Sequence, residues 1–225
     1  ADGESTEAPM RDKVLKSANS KSIALKYKDI IGMKRAERGA LVKDMAVVYI
    51  YHDAIDEAGH TGTSIFAACE EAIEEIKNMV RMITGEFGGV HILITADHGF
   101  LYTDQPLRED EKVDKSMTSE QDIEIARRYA IIKKGAAPDY LLPVRFLDGE
   151  TEYEAFVPRG SMRIKMKGGG LNFVHGGASL QEMVVPLIDY HFLRNDSKEY
   201  KKNKSKYDTI PVTVSLLSSI RKISN

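Results

Sequence analysis

Two short, almost unbroken apolar runs bracket one long amphipathic stretch, and this pattern constrains the fold more than any other feature of the chain. The runs are residues 45–51 (MAVVYIY) and 90–95 (VHILIT). They are rich in β-branched and aromatic residues and lack polar alternation, which predicts strands buried on both faces, as in a parallel sheet. Between them apolar residues fall at 65, 66, 69, 72, 73, 76, 79, 80 and 83, the spacing of an amphipathic helix. Ser64 or Thr63 supplies the N-cap, and Gly85, Gly88 and Gly89 end the element. Strand, helix, strand in this order predicts a right-handed βαβ unit and an α/β fold.

The flanking segments are less regular. Residues 10–31 predict a helix, a turn and a short strand, and residues 34–42 a second helix built of good helix formers. Residues 118–134 predict a helix capped by Thr118 and stopped by Gly135. Residues 142–147 and 152–157 predict a hairpin around Asp148-Gly149, and 161–167 a further extended piece. Pro186 interrupts 180–188 and leaves its type open. Residues 194–206 carry six Lys/Arg and two Asp/Glu and are read as a charged linker. Residues 209–220 alternate like a strand and are read as the start of a further segment. The expected division is a domain over 1–193, a linker over 194–208 and a terminal segment over 209–225.

Charge and cysteine content exclude several classes. A net charge of −2 over 225 residues gives no global positive field for neutralising phosphates, so a histone-like nucleic-acid binder is excluded. The single Cys69 excludes a disulfide framework and a cysteine zinc ribbon. No run approaches the ~20 apolar residues of a membrane span, and the polar first ten residues do not read as a secretory signal. A cytoplasmic protein is the resulting expectation.

Asp and His concentrate in three places, two of them just past the apolar strands. The first is Tyr51-His52-Asp53-Ala54-Ile55-Asp56-Glu57-Ala58-Gly59-His60, the second Thr95-Ala96-Asp97-His98-Gly99-Phe100, and the third Phe173-Val174-His175-Gly176-Gly177. In open α/β sheets functional groups gather at the carboxyl ends of strands. Asp56 and His60 lie one helical turn apart on one side, and Asp97-His98 sits where a turn aims both at one cavity. Imidazole nitrogen and carboxylate oxygen suit Zn²⁺ and Mn²⁺. Any one pair is weak evidence; three clusters whose Asp/His pattern uses three of the six histidines, His60, His98 and His175, point to a metal site.

These residues resemble the metal-binding half of the alkaline phosphatase superfamily, and more closely the PglZ family of the BREX phage-defence systems. The matching stretches are YIYHDAID (49–56), ITADHGFLY (94–102) and FVHGGASLQEMVVP (173–186), with DGEST at 2–6 and RF at 145–146. The resemblance implies a three-layer α/β/α sandwich with a mostly parallel sheet. It implies two divalent metal ions, zinc first, with manganese or magnesium as alternatives. Asp56, His60 and His175 match the ligands of one ion, and Asp97 and His98 those of the second. The PglZ pattern often carries Asp at the position of His60, which matches the wider superfamily instead. The superfamily's Ser or Thr nucleophile and a further metal-binding Asp lie in an N-terminal part of the fold. DGEST matches the connector ahead of the metal half, so Ser5 and Thr6 are not taken as the nucleophile. The chain is therefore expected to be the C-terminal half of a larger domain, with an incomplete site.

The implied activity is a metal-dependent phosphohydrolase, a phosphomonoesterase or a phosphodiesterase or nuclease. Its expected partners are a phosphate-ester or nucleic-acid substrate and other defence-system proteins. The alternative is a non-catalytic scaffolding or binding module of a defence complex, with a vestigial or incomplete metal site. His52 is a candidate to orient a ligand carboxylate. His91 and His191 read as structural, and Cys69 as an inert thiol on the apolar helix face. Ser179 and Glu182 form a capping box that orders the loop of His175. Arg145, Arg159 and Arg163 read as surface ion-pairing residues.

Overall fold

In a computed structural model, residues 8–61, 64–105, 107–113, 122–135, 140–145, 152–166 and 172–207 are described. The chain divides into two compact units, Ala1–Tyr190 and His191–Asn225. The first opens with α1 (Ala8–Ala18), β1 (Ser22–Lys26), α2 (Tyr27–Ile31) and α3 (Arg35–Val42). Next come β2 (Val47–Tyr51), α4 (Ala54–Thr61), α5 (Ile65–Met82) and β3 (His91–Thr95). The expected strand–helix–strand order is present. The Ser64 hydroxyl accepts from the Ala67 N–H at the start of α5, and a π-helical turn over Ile83–Phe87 follows its end. There Gly88 adopts φ +70°, a conformation glycine takes without a Cβ penalty.

The pairing of the two apolar strands differs from expectation. β2 pairs in parallel with β1, Ser22 opposite Val47 through Lys26 opposite Tyr51. β3 instead joins β12 (Leu187–His191) in a separate two-stranded sheet. Among the described residues β2 and β3 are thus not hydrogen-bonded neighbours. Their side chains are correspondingly less buried than their composition predicts: Tyr49 is 43% exposed and Leu93 61%. A strand with one paired neighbour in a two-stranded sheet has little around it to cover either face.

The rest of the first unit is mixed α/β. It contains β4 (Leu101–Tyr102), β5 (Lys112–Val113), β6 (Asp122–Ile125), β7 (Ala130–Lys133), β8 (Leu141–Pro143), β9 (Tyr153–Pro158), β10 (Arg163–Ile164), β11 (Phe173–Val174) and α6 (Leu180–Met183). β6, β7, β9 and β8 form an antiparallel sheet in that order, and β5 pairs in parallel with β10. Val113, Ala130, Ile132, Leu141, Phe156 and Ile164 form its buried core. Each large member contributes roughly 1.5–3 kcal/mol by leaving water.

The helix expected over 118–134 is corrected here: its described part is β6 and β7. In Ala130-Ile131-Ile132-Lys133 the first and third residues are buried and pair across to β9. Tertiary pairing of β-branched residues overrides the helical propensity of the preceding Glu/Ala/Arg-rich stretch. Thr118 and the Asp148-Gly149 turn lie outside the described residues, although β8 and β9 do pair antiparallel as the hairpin requires. Of the extended piece over 161–167, Arg163 and Ile164 form β10, and 180–188 resolves into α6 and β12.

In the second unit, the segment read as a charged linker holds two short helices, α7 (Lys198–Lys202) and α8 (Lys204–Tyr207). Residues 209–220 lie outside the described residues. No helix among the described residues is long and apolar enough to cross a membrane.

Candidate metal centre

Three elements converge on one point, and local sequence explains each. Asp56 sits in the first turn of α4, where a carboxylate complements the positive end of the helix dipole. Three residues on, Gly59 faces the ring of Phe173 so closely that a Cβ would overlap it. β11 can therefore lie directly on α4, and His175 emerges beside Asp56. β11 is held from its other side by antiparallel pairing with β4, Phe173 opposite Tyr102 and Val174 opposite Leu101. Beneath them Ala58, Ile65, Ala68 and Phe173 form a buried cluster with Ile55, Cys69, Phe100 and Tyr102 against it. Phe100 packs on Phe173 with ring centroids 4.8 Å apart.

His98 arrives from the loop after β3. The Asp97 carboxylate accepts the His98 N–H at 3.1 Å, and His98 Nδ1 lies 3.0 Å from the Gly99 carbonyl. A carbonyl only accepts, so that contact places the proton on Nδ1 and leaves the Nε2 lone pair for an ion. The Thr95 hydroxyl donates to the Pro186 carbonyl at 2.8 Å, tying the end of β3 to the segment that follows α6.

Asp56, His98 and His175 each offer a ligand atom, and these atoms lie within 4.8 Å of one another. His175 Nε2 is 3.5 Å from Asp56 Oδ1. Tetrahedral zinc bonds of about 2.0–2.1 Å set a ligand–ligand edge of about 3.4 Å, so this pair already has the spacing of an ion's edge. Asp56 Oδ1 is shielded from solvent. The His98 and His175 rings stack with centroids 4.2 Å apart and 8° between planes. Each nitrogen lone pair lies in its own ring plane and two parallel planes do not meet, so a shared ion requires the planes to open. The donors, one carboxylate and two imidazoles, suit zinc or manganese.

Asp56 and His175 meet. His98, assigned by the resemblance to a second ion, joins them. Asp97 is adjacent but its side chain is 81% exposed, with Oδ1 3.9 Å from His98 Nε2. His60 lies on α4 one turn beyond Asp56, and its side chain is outside the described residues. His52 turns to α5, where Nε2 lies 2.5 Å from Glu75 Oε2, and it packs on Tyr27. The carboxylate it meets there is Glu75, not one of the candidate ligands. His91 Nε2 lies 2.7 Å from Asp189, linking β3 to β12.

One important residue escaped the sequence reading. Arg128 is fully buried and paired with buried Glu182. Burial pushes the Glu182 carboxyl up, but Arg128, the Ser179 hydroxyl and the Gly177 N–H outweigh it and hold it below the usual value of 4.5. Arg163, expected at the surface, is also fully buried, and it donates to the Ser161 carbonyl. The desolvation of its guanidinium, and the neighbouring Arg128, lower its affinity for the proton. Arginine is a surface residue by default, and nothing in the local sequence marks these two as exceptions.

A family described as the BREX system PglZ alkaline phosphatase-like domain matches residues 1–190. The chain is 34% identical over 233 residues to the alkaline phosphatase-like protein BrxZ of Escherichia coli O9:H4 (strain HS), covering 100% of this chain and 27% of that protein. It is 36% identical over 226 residues to the alkaline phosphatase-like protein PglZ of Bacillus cereus (strain H3081.97), covering 96% and 25%. The chain thus spans about a quarter of the length of these curated relatives. No solved structure gives a significant match.

Proposed function

Because the chain belongs to the BREX PglZ family of alkaline phosphatase-like domains, we propose that it carries the metal-binding side of a phosphohydrolase acting on phosphate monoesters or diesters. The observation that carries this reading is the approach of ligand atoms from Asp56, His98 and His175 to within 4.8 Å. In the longer protein, with two zinc ions bound, Asp56, His60 and His175 hold one ion and Asp97 and His98 contribute to the second; in this chain alone His98 stands with Asp56 and His175 around a single position. Bound metal would supply polarisation of the phosphoryl oxygen and stabilisation of the leaving group. This chain's residues do the rest of the local work. Asp56 supplies negative charge from a helix N-terminal turn. The Gly99 carbonyl holds the His98 tautomer. Packing of Phe173 on Gly59 fixes where His175 stands.

The nucleophile, a Ser or Thr, is assigned to another part of the longer polypeptide, as is the further Asp of the second ion. On this reading the three-layer sandwich with a mostly parallel sheet is completed there, and the domain runs over 1–193 of this chain. The setting is a cytoplasmic phage-defence complex whose other members are BREX proteins.

Metal titration with a chromogenic phosphodiester assay tests the proposal. The isolated chain should bind zinc and turn over little substrate. The longer protein should hydrolyse it, and Asp97→Ala or His98→Ala should abolish turnover with circular dichroism unchanged. Metal binding with no turnover in the longer protein favours the scaffolding reading. That reading draws support from exposed apolar side chains on α6 and β12, where Leu180 is 77% exposed and Leu187 71%.

A further inference from the structure

The loops that bring His98 and His175 to Asp56 are both fastened to one buried residue. The backbone carbonyl of Glu182 accepts the N–H of Gly99, the residue after His98, at 2.8 Å. Its side-chain Oε1 accepts the N–H of Gly177, two residues after His175, at 3.0 Å. Oε2 accepts the Ser179 hydroxyl at 2.6 Å. Arg128 then locks this carboxylate with a two-pronged contact, Nε to Oε1 and Nη2 to Oε2, each 2.8 Å. The remaining guanidinium donors hold the carbonyls of Gly160 (2.9 Å) and Met162. Both side chains are 1% exposed.

Neither loop has room for a side chain at its glycine. A Cβ at Gly177 would stand 2.7 Å from Glu182 Oε2 and 2.8 Å from Arg128 Nε. At Gly99 it would run into the Gln181 carbonyl. A helix cap explains only the Ser179 contact. It does not require a buried arginine, nor bonds to glycines one and two residues from the two histidines.

We propose that the Arg128–Glu182 pair is a positioning element that sets the separation of His98 and His175 and thereby the affinity of the centre for a divalent cation. This rests on the metal-site reading above. The planar fork of arginine matches a carboxylate in fixed geometry, whereas lysine offers a point charge on a flexible stem. Such a fork transmits position, and groups that orient metal ligands typically change affinity by about 10–100-fold when lost.

The test is Zn²⁺ affinity, measured by competition with a chromophoric chelator, alongside the melting temperature of the metal-free protein. The 225-residue chain is compared with Glu182→Gln, Arg128→Lys and His175→Ala. Folded Glu182→Gln and Arg128→Lys should bind zinc roughly 10–100-fold more weakly. A merely structural pair would lower the melting temperature and leave zinc affinity in the folded variants unchanged. If His175→Ala loses affinity while the folded pair variants keep it, the positioning proposal is overturned. If His175→Ala itself binds zinc as the unaltered chain does, the metal-site reading fails instead. Should neither pair variant fold, Ser179→Ala decides, since it removes one hydroxyl contact to Oε2. Weaker zinc binding then supports the proposal, and unchanged binding overturns it.

Discussion

Replacing Glu182 by leucine should destabilise this chain more than any single surface change, and the structure sets the size. The carboxylate and the Arg128 guanidinium are each 1% exposed in their side chains. Removing one partner leaves an uncompensated buried charge, which costs about 3–5 kcal/mol. Arg128→Met should cost a similar amount for the same reason in reverse. Removing both charges together relieves that penalty. It still orphans the Gly177 N–H and the Gly160 and Met162 carbonyls, each worth about 1–3 kcal/mol when left unpaired. The double variant should therefore be less damaging than the sum of the singles by about 2–3 kcal/mol, the upper range for coupled neighbours. For a chain of this size each kcal/mol moves the melting point by roughly 2–4 °C, so each single should lose about 6–20 °C. Urea unfolding followed by circular dichroism, with metal chelated, measures all four proteins. Singles costing under about 1 kcal/mol, or strictly additive losses, would refute the view that the pair is buried and mutually dependent.

Three further outcomes follow from the same geometry. Asp56→Ala and His175→Ala should each weaken zinc binding by at least about tenfold in calorimetry, the lower end of the loss expected from disturbing such a site. Asp97→Ala should do less in the isolated chain, since that side chain is 81% exposed; an Asp97 effect larger than that of Asp56 would reverse the assignment of roles. Gly59→Ala should cost about 1–3 kcal/mol of stability, the range for overpacking, because the new methyl meets the Phe173 ring; no loss in urea midpoint would show that α4 and β11 are not in contact. Stability should also fall with acid through Glu182. Its folded carboxyl titrates below the ordinary 4.5, so on acidification the unfolded chain takes up the proton first. Its contribution is then complete above about pH 4.5 and disappears as the pH falls through the folded value. Glu182→Gln should lack that part of the acid slope, and identical slopes in the two proteins would contradict it.

Much of the site was legible in the sequence because its signals are local. The apolar runs marked the strands, and the Asp and His residues stood directly after them or in a glycine-rich loop. The cap at Ser64 and the capping box at Ser179 were readable for the same reason, since each is a fixed offset along the chain. Non-local relations were not readable. No local pattern specifies that β3 joins β12 rather than β2, because the pairing depends on which edge a distant segment reaches. The helix expected over 118–134 failed in the same way: Ile131 and Ile132 fit a helix until β9 is beside them. Arg128 was hidden inside that error, and its burial becomes intelligible only once Glu182 is seen to face it. The glycines beside the histidines were visible, but not their purpose. Gly99 and Gly177 look like ordinary loop residues until the backbone of α6 and the Arg128 guanidinium are found against them.

The proposed centre places Asp56, His98 and His175 around one position. The most direct measurement is an anomalous difference map collected at the zinc edge from crystals grown with Zn²⁺. The expected result is a peak about 2.0–2.2 Å from a carboxylate oxygen of Asp56 and a ring nitrogen of His175, with the His98 and His175 planes opened from their 8° stack so that both nitrogens face it. A zinc peak elsewhere on the chain, with these three side chains unmoved and no density between them, would contradict it.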